Sequence, residues 1–181
     1  MASRQWTSER TFIWQRTSPF KDCFELHGGG RPLARLTIGG LAVTTAELET
    51  DAHRLVFTAE GIGDRRIRVA DAISDQVIAN FERGWSGRTG TVRFVDGGGA
   101  LEWRRIGWWR PAHVFTDRFG NPLLRFDPDG GATGYGLGTE LEPLIGSWRD
   151  LVVLLSLGWF LLVVAGDAVQ PAQRVSRLSW D

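Results

Sequence analysis

The stretch Leu151-Val-Val-Leu-Leu-Ser-Leu-Gly-Trp-Phe-Leu-Leu-Val-Val-Ala165 decides the fold, because 13 of its 15 residues are apolar. The two exceptions, Ser156 and Gly158, are small and uncharged. A helix that is apolar on all sides is stable either in a membrane or inside a protein that surrounds it. The rest of the sequence must therefore show which of these two environments is available.

Signals for the start and the end of a helix flank this stretch. Gly166 follows it directly, and glycine is common just after the last helical residue. Two capping boxes, each a hydroxyl residue followed three positions later by an acidic one, precede the stretch: Thr139 with Glu142, and Ser147 with Asp150. We predict a helix over Leu144–Ala165, with a polar C-terminal tail over 167–181.

The length and flanks of the apolar run favour burial in protein. The uncharged run Leu151–Gly166 would rise about 24 Å as a helix, whereas the hydrocarbon core of a bilayer is about 30 Å thick. Arg149 and Asp150 adjoin one end of the run and Asp167 the other. A protein anchored in a membrane by its C-terminal helix, with a cytoplasmic β domain, remains the alternative.

The residues before the helix read as short β-strands separated by turn residues. No helical pattern of 10 to 15 residues lies between them, which disfavours a parallel α/β sheet. We predict a mainly β fold, a closed antiparallel barrel of about eleven to twelve strands that encloses the C-terminal hydrophobic helix. The predicted strands are Thr11–Arg16, Cys23–His27, Leu33–Ile38, Ala42–Glu49, His53–Ala59, Arg65–Val69, Val77–Phe81, Thr91–Val95, Leu101–Arg105, His113–Asp117 and Leu123–Phe126.

Aspartates recur at the ends of predicted strands, and glycines follow several of them. Asp71, Asp96 and Asp117 each lie between two strands, where an Asp side chain can accept hydrogen bonds from the turn backbone. We interpret them as turn residues. The Gly-rich segment Asp127–Gly138 is predicted to be a loop that leads into the helix; it lacks the lysine of a phosphate-binding P-loop.

Composition narrows the classes of function. The chain has 181 residues with 21 basic and 21 acidic side chains, which predicts a single domain over 11–166 after an N-terminal extension over 1–10. Zero net charge argues against a nucleic-acid-binding protein. The single cysteine, Cys23, excludes an internal disulfide, and the polar N-terminus lacks a signal-peptide pattern, so we expect a cytoplasmic monomer. Three His residues without ligand spacing predict no metal site, and we expect no cofactor.

In this layout the chain resembles the tubby C-terminal-like superfamily, which contains the tubby domain, the LURP-one-related proteins and the phospholipid scramblases. The resemblance rests on the strand count, on hairpins such as Val69-Ala-Asp71 and Phe94-Val-Asp96-Gly97, and on the final apolar helix. It implies a twelve-stranded barrel threaded by a hydrophobic helix over about Thr11 to Gly166. It also implies a non-enzymatic module that binds a membrane surface or a phosphoinositide.

The sequence departs from these relatives at their functional residues. The acidic calcium-binding stretch of the scramblases has no clear counterpart, and Cys23 alone cannot form a palmitoylated cluster. Tubby-type phosphoinositide binding uses a basic pocket that includes lysine, and Lys21 is the only lysine in this chain. No site residue of the family is therefore transferred to this sequence.

The segment Trp103-Arg-Arg-Ile-Gly-Trp-Trp-Arg110 is the candidate binding site, because arginines can bind anionic headgroups while indoles lie at the membrane interface. Within it we expect a lipid or anion site; Arg65, Arg66 and Arg68 form a second cluster. The alternative interpretation is that the tryptophans fill the core and the arginines form a solvated face. The site residues are Arg104, Arg105, Trp108, Trp109 and Arg110.

A serine hydrolase is the remote alternative. His27-Gly-Gly-Gly30 matches the oxyanion element of lipases, and Ser86, Asp96 and His113 follow in the order of a catalytic triad. Arg88 stands where the motif around Ser86 needs its second glycine, and the flanks read as a β-hairpin. We therefore expect no enzymatic activity, and we interpret the three glycines as a turn.

Overall fold

The computed structural model describes residues 11–39, 44–60, 65–85, 88–96, 99–108, 112–128, 131–134 and 147–165. These residues form twelve strands followed by one helix, α1, over Trp148–Val164. The strands are β1 Thr11–Arg16, β2 Asp22–Gly28, β3 Arg31–Gly39, β4 Thr45–Glu49, β5 Arg54–Glu60, β6 Arg66–Asp71, β7 Val77–Arg83, β8 Thr89–Phe94, β9 Leu101–Ile106, β10 Ala112–Thr116, β11 Pro122–Phe126 and β12 Gly131–Gly134.

The strands close into a single antiparallel barrel. Each strand pairs with its neighbours in the sequence, and β1 also pairs with β12, where Phe12 faces Ala132. All strands of the barrel thereby have partners on both sides, so the backbone hydrogen bonds continue round the wall. The predicted fold, a mainly β closed barrel with a C-terminal helix, is confirmed.

Alternating residues of each strand point to opposite faces of the wall, and the inward set is apolar. In β1 the side chains of Phe12 and Trp14 are buried, whereas Thr11 and Ile13, which alternate with them, are exposed. The same alternation places Leu36 and Leu48 inside on β3 and β4. It follows directly from the period of two in a strand, which is why it could be read from the sequence.

The helix α1 fills the barrel. All residues from Leu151 to Leu162 are buried, so no side of this segment faces solvent. The ring of Trp159 stacks on Trp14 of β1 at 6.3 Å, and Phe160 contacts Phe57 of β5 at 6.0 Å, both measured between ring centroids. Because contacts reach strands on different parts of the wall, the apolar circumference of α1 is covered by the inner face of the barrel.

The start of the helix differs from the prediction. Ser147 has an extended backbone (φ −157°, ψ 162°), so the helix begins at Trp148, later than predicted. The Ser147 hydroxyl accepts a hydrogen bond from the Asp150 backbone N–H at 3.2 Å. The second predicted capping box is therefore the one in use; Thr139, Glu142 and the predicted stop at Gly166 lie outside the described residues.

The strand β12 corrects a second prediction. Gly131–Gly134 lies within the segment predicted to be a Gly-rich loop, yet it pairs with both β11 and β1. Three of its four residues, two glycines and an alanine, have low strand propensity, and the pairing is supplied by neighbours at both edges. The N-terminal extension over 1–10 and the tail over 167–181 lie outside the described residues.

Antiparallel pairing sorts the connections between the two ends of the barrel. Connections from an odd-numbered to an even-numbered strand lie at one end, called here the upper end, and the others lie at the lower end. The helix begins at the lower end, where Arg149 Nη2 contacts Asp96 Oδ2 at 3.1 Å, and it ends at the upper one.

In the described part of the chain, no helix is long and apolar enough to cross a membrane.

Candidate functional site

The predicted site residues lie in the upper half of β9 and in the connection that follows, but the Arg104 guanidinium is directed down the strand toward Glu102 and Thr116. Arg104 faces Thr89 of β8 and Val114 of β10 across the sheet, on the outer face of the wall. Trp108 lies in the β9–β10 connection with 89% of its surface exposed. Trp109 and Arg110 lie outside the described residues.

The guanidinium of Arg104 is held on the outer wall. Its Nη2 atom donates to the Thr116 hydroxyl at 3.1 Å and approaches the Glu102 carboxylate at 3.4 Å. Its side chain remains 40% exposed, so the group is oriented by the protein and still reachable from solvent. Fixed guanidinium groups lose less entropy when they bind an anion than free ones do.

Arg105 points to solvent at the rim. Its backbone N–H donates to the Arg88 carbonyl at 3.1 Å, which ties the upper end of β9 to the β7–β8 connection. Its side chain is exposed, and within the described residues it makes no ion pair. An exposed guanidinium with no carboxylate beside it contributes its full charge to the local surface.

A groove of about 490 Å³ runs along the outer wall between β7, β8 and β9, close to the upper end. Both carboxylates of the groove have arginine neighbours: Glu82 lies 3.8 Å from Arg66 and 3.6 Å from Arg93, and Glu102 contacts Arg104. The Arg83 guanidinium makes no ion pair within the described residues. The groove is lined by Glu82, Arg83, Thr89, Thr91, Glu102 and Arg104, together with other residues of the three strands.

These side chains define what the groove can bind. Arg83 and two threonine hydroxyls line the groove and can donate hydrogen bonds to phosphate oxygens. The Arg104 guanidinium points away from the groove, toward Thr116 of β10 and Gly120 in the β10–β11 connection. Arg83, Thr89 and Thr91 were not among the predicted site residues. They belong to strands before β9, and only the pairing of Thr89 with Arg104 shows that they adjoin the predicted segment.

The tryptophans of the predicted segment have different positions. Trp103 is only 5% exposed and packs against Phe115 at 4.7 Å and Phe126 at 5.5 Å, so it belongs to the core. Trp108 is exposed. The interpretation that the tryptophans fill the core is therefore confirmed for Trp103 and wrong for Trp108.

The second arginine cluster is largely engaged with neighbouring side chains. Arg68 contacts Asp75 at 2.9 Å, and Arg66 lies 3.8 Å from Glu82. The guanidinium of Arg65 lies over the indole of Trp85, 4.6 Å from the ring centroid. Trp85 itself is 88% exposed, so Arg65 and this indole together form part of the surface of the upper end.

The structure does not bring Asp96 and His113 together. Asp96 lies at the lower end, where its carboxylate contacts Arg149. His113 lies near the upper end of β10, and its ring stacks on Trp103 at 4.9 Å with the residue only 5% exposed. Ser86 lies outside the described residues, and the Gly29 and Gly30 pair forms the turn between β2 and β3 with positive φ angles.

Two of the recurring aspartates are turn residues as predicted. The Asp71 carboxylate accepts hydrogen bonds from the backbone N–H groups of Ser74 and Ile73, and these bonds lower its pKa. Burial acts to raise the pKa of Asp117, but hydrogen bonds from Asn121 and Phe119 outweigh it and lower that pKa. Both carboxylates thus serve their own turns.

No group of three or more His, Cys, Asp or Glu side chains that could hold a metal ion occurs among the described residues. The chain was compared with protein-family models, with curated proteins and with solved structures, and none of them matches it.

Proposed function

We propose that the protein is a non-enzymatic binding module, similar in kind to the tubby C-terminal-like proteins, that recognises anionic lipid headgroups at a membrane surface. The observation that carries the proposal is a cluster on the outer wall and rim. It consists of Arg104, the exposed Arg105 and Trp108, and beside them a groove lined by Arg83 and two threonines. The barrel of twelve strands around one helix has the layout of that superfamily, and membership in it is part of the proposal.

The chemistry of this cluster fits a phosphorylated headgroup. A guanidinium binds phosphate through two parallel hydrogen bonds, and the Arg104 group is already oriented by Thr116. Each basic side chain near an anionic surface contributes about 1 kcal/mol to binding. The exposed indole of Trp108 can lie at the depth of the headgroups, where tryptophan is enriched in membrane proteins. The protein would then act as a cytoplasmic monomer that associates with the membrane surface.

The experiment compares vesicles of phosphatidylcholine with vesicles that also contain phosphatidylserine, using sedimentation of the full chain. The double variant Arg104→Ala/Arg105→Ala should bind the anionic vesicles about 30-fold more weakly, because two charges at about 1 kcal/mol each are removed. The matched control is Arg31→Ala/Arg118→Ala, which removes two arginines from the lower end. Unchanged binding of the Arg104/Arg105 variant, or no binding by the wild type, would refute the proposal.

A further inference from the structure

Exposed aromatic side chains stand on three separate connections of the upper end. Phe20 in the β1–β2 connection is 95% exposed, Trp85 in the β7–β8 connection 88%, and Trp108 in the β9–β10 connection 89%. Each of these side chains could bury a large apolar area against a partner. All three connections run from an odd-numbered to an even-numbered strand, so they lie at the same end of the barrel.

The order of strands round the wall places these residues far apart on the rim. Six strands separate the β1–β2 connection from the β7–β8 connection in either direction, so Phe20 and Trp85 stand on opposite sides. Trp108 lies between them on one side. A small ligand or a short peptide cannot contact all three at once. A partner that does so must be broad and must cover the whole end of the barrel.

The two ends also differ in charge among the described residues. Taking the connections with the strand residues beside them, the upper end carries Arg16, Lys21, Arg65, Arg66, Arg83 and Arg88 against Asp22, Glu60 and Asp127. Two of these acids have arginine partners, at 2.8 Å for Asp22 and at 3.1 Å for Asp127. With the first turn of α1 included, the lower end carries Glu49, Asp51, Asp71, Asp75, Asp96, Asp117 and Asp150 against Arg31, Arg54, Arg118 and Arg149.

This distribution gives the barrel an electrostatic polarity along its axis. A surface of negative charge attracts the upper end and repels the lower one, so it selects one orientation before contact is made. Exposed apolar residues also occur at the lower end, namely Ile73 at 91% and Phe119 at 74%. They stand two positions after Asp71 and Asp117. The Arg118 guanidinium lies over the Phe119 ring at 4.6 Å, but the described side chains of this end together carry more acidic than basic groups, which disfavours its approach to an anionic surface.

We infer that the upper end docks flat on an anionic phospholipid bilayer, with the barrel axis upright and with Phe20, Trp85 and Trp108 at headgroup depth. This inference rests on the proposed function and extends it, because the groove alone would allow the barrel to lie on its side. Basic side chains around the rim, Lys21 and Arg88 among them, contact the headgroups between the aromatic residues. A bilayer meets the requirement for a broad, flat and negatively charged partner.

The test uses the full chain and the same two kinds of vesicle. The variant Phe20→Ser/Trp85→Ser changes the rim without touching the groove, and it should bind anionic vesicles at least ~10-fold more weakly. The matched control, Ile73→Ser/Phe119→Ser, removes two exposed apolar residues from the lower end and should bind as the wild type does. All four positions are largely exposed, so thermal unfolding should change little.

The outcomes separate this inference from the proposed function. If Phe20→Ser/Trp85→Ser binds as tightly as the wild type while Arg104→Ala/Arg105→Ala does not, the upright docking is wrong and the proposed function stands. If the wild type binds neither kind of vesicle, or both kinds equally, both are wrong. In the unmodified protein, phospholipids brominated near the headgroup should quench tryptophan emission when anionic vesicles are added, and absence of quenching would overturn the inference.

Discussion

At Gly158 the helix lies directly against the barrel wall. A Cβ atom at this position would overlap the ring of Phe126 on β11, which is itself fully buried. We predict that Gly158→Ala lowers the free energy of unfolding by about 1–3 kcal/mol, because a methyl group forced into a packed core displaces its neighbours. The loss should appear even though alanine is favoured over glycine in a helix by about 1 kcal/mol. Urea unfolding followed by tryptophan fluorescence measures it.

Ser156 provides the matched control on the same helix. Its hydroxyl is fully buried and has no hydrogen-bond partner within the described residues, so Ser156→Ala removes a polar atom without adding volume. We expect equal or greater stability for this variant, since an unpaired buried hydroxyl is unfavourable. A Gly158→Ala protein as stable as the wild type would show that Phe126 moves aside freely, which contradicts close packing at this point.

The lowered pKa of Asp117 predicts how the stability of the protein changes in acid. Its pKa is lowered in the folded state, because the bonds from Asn121 and Phe119 outweigh the opposing effect of burial. A lowered folded pKa stabilises the protein above the ordinary value of about 3.9, and this stabilisation is lost as the pH falls through the lowered value. The gap in urea midpoint between the wild type and Asp117→Asn should therefore be smaller at about pH 3 than at about pH 7.

Asp51→Asn is the control for the acid series. It lies in the β4–β5 connection at the same end of the barrel, and its carboxylate makes no hydrogen bond within the described residues. Its urea midpoint should follow that of the wild type at both pH values. If the difference in urea midpoint between the wild type and Asp117→Asn were the same at both pH values, the charge of the carboxylate would not be what stabilises the turn.

At the scale of elements, α1 is the part on which the rest of the fold depends. All its residues from Leu151 to Leu162 are buried, and full burial of a large apolar side chain is worth about 1.5–3 kcal/mol. Summed over the helix, this exceeds the 5–15 kcal/mol by which an average domain is stable. A chain that ends at Glu140 should therefore form a collapsed state without fixed packing.

The measurements for this truncation are near-ultraviolet circular dichroism and binding of a hydrophobic dye. Loss of the near-ultraviolet signal with strong dye binding is expected, since the inner face of the wall would be uncovered. A truncated chain that unfolds cooperatively, with a native near-ultraviolet spectrum, would show that the barrel does not need its helix. The untruncated chain treated in parallel is the reference for both signals.

Elements with strong periodicity were predictable, and weak ones were not. The alternation of apolar residues in β1 and β5 identified both strands within one residue of their observed bounds. β12 was missed because Gly131–Gly134 contains no large apolar residue, and only its two neighbours make it a strand. The helix start was placed too early because Thr139 and Ser147 carry equivalent capping signals, and local sequence cannot rank them.

At the scale of the whole molecule, the candidate site was only partly visible in the sequence. Arg104, Arg105 and Trp108 were identified from one continuous segment, which composition alone can reveal. Arg83 adjoins them only through the pairing of β7, β8 and β9, and Phe20 shares their end of the barrel, on another part of the rim, only because the strands alternate in direction. Such neighbours depend on which strands are adjacent, and no local pattern of residues encodes that adjacency.

The helix inside the barrel also constrains the order of assembly. β1 and β12 form the strand pair most distant in sequence, so joining them costs the most chain entropy. A closed wall would leave α1, with its bulky Trp159 and Phe160, no side entry, so we expect the last seam to form only around a helix already in place. On the ribosome, the early strands must wait for residues made more than a hundred positions later. During that interval their free edges and apolar face are exposed to chaperones and to other nascent chains.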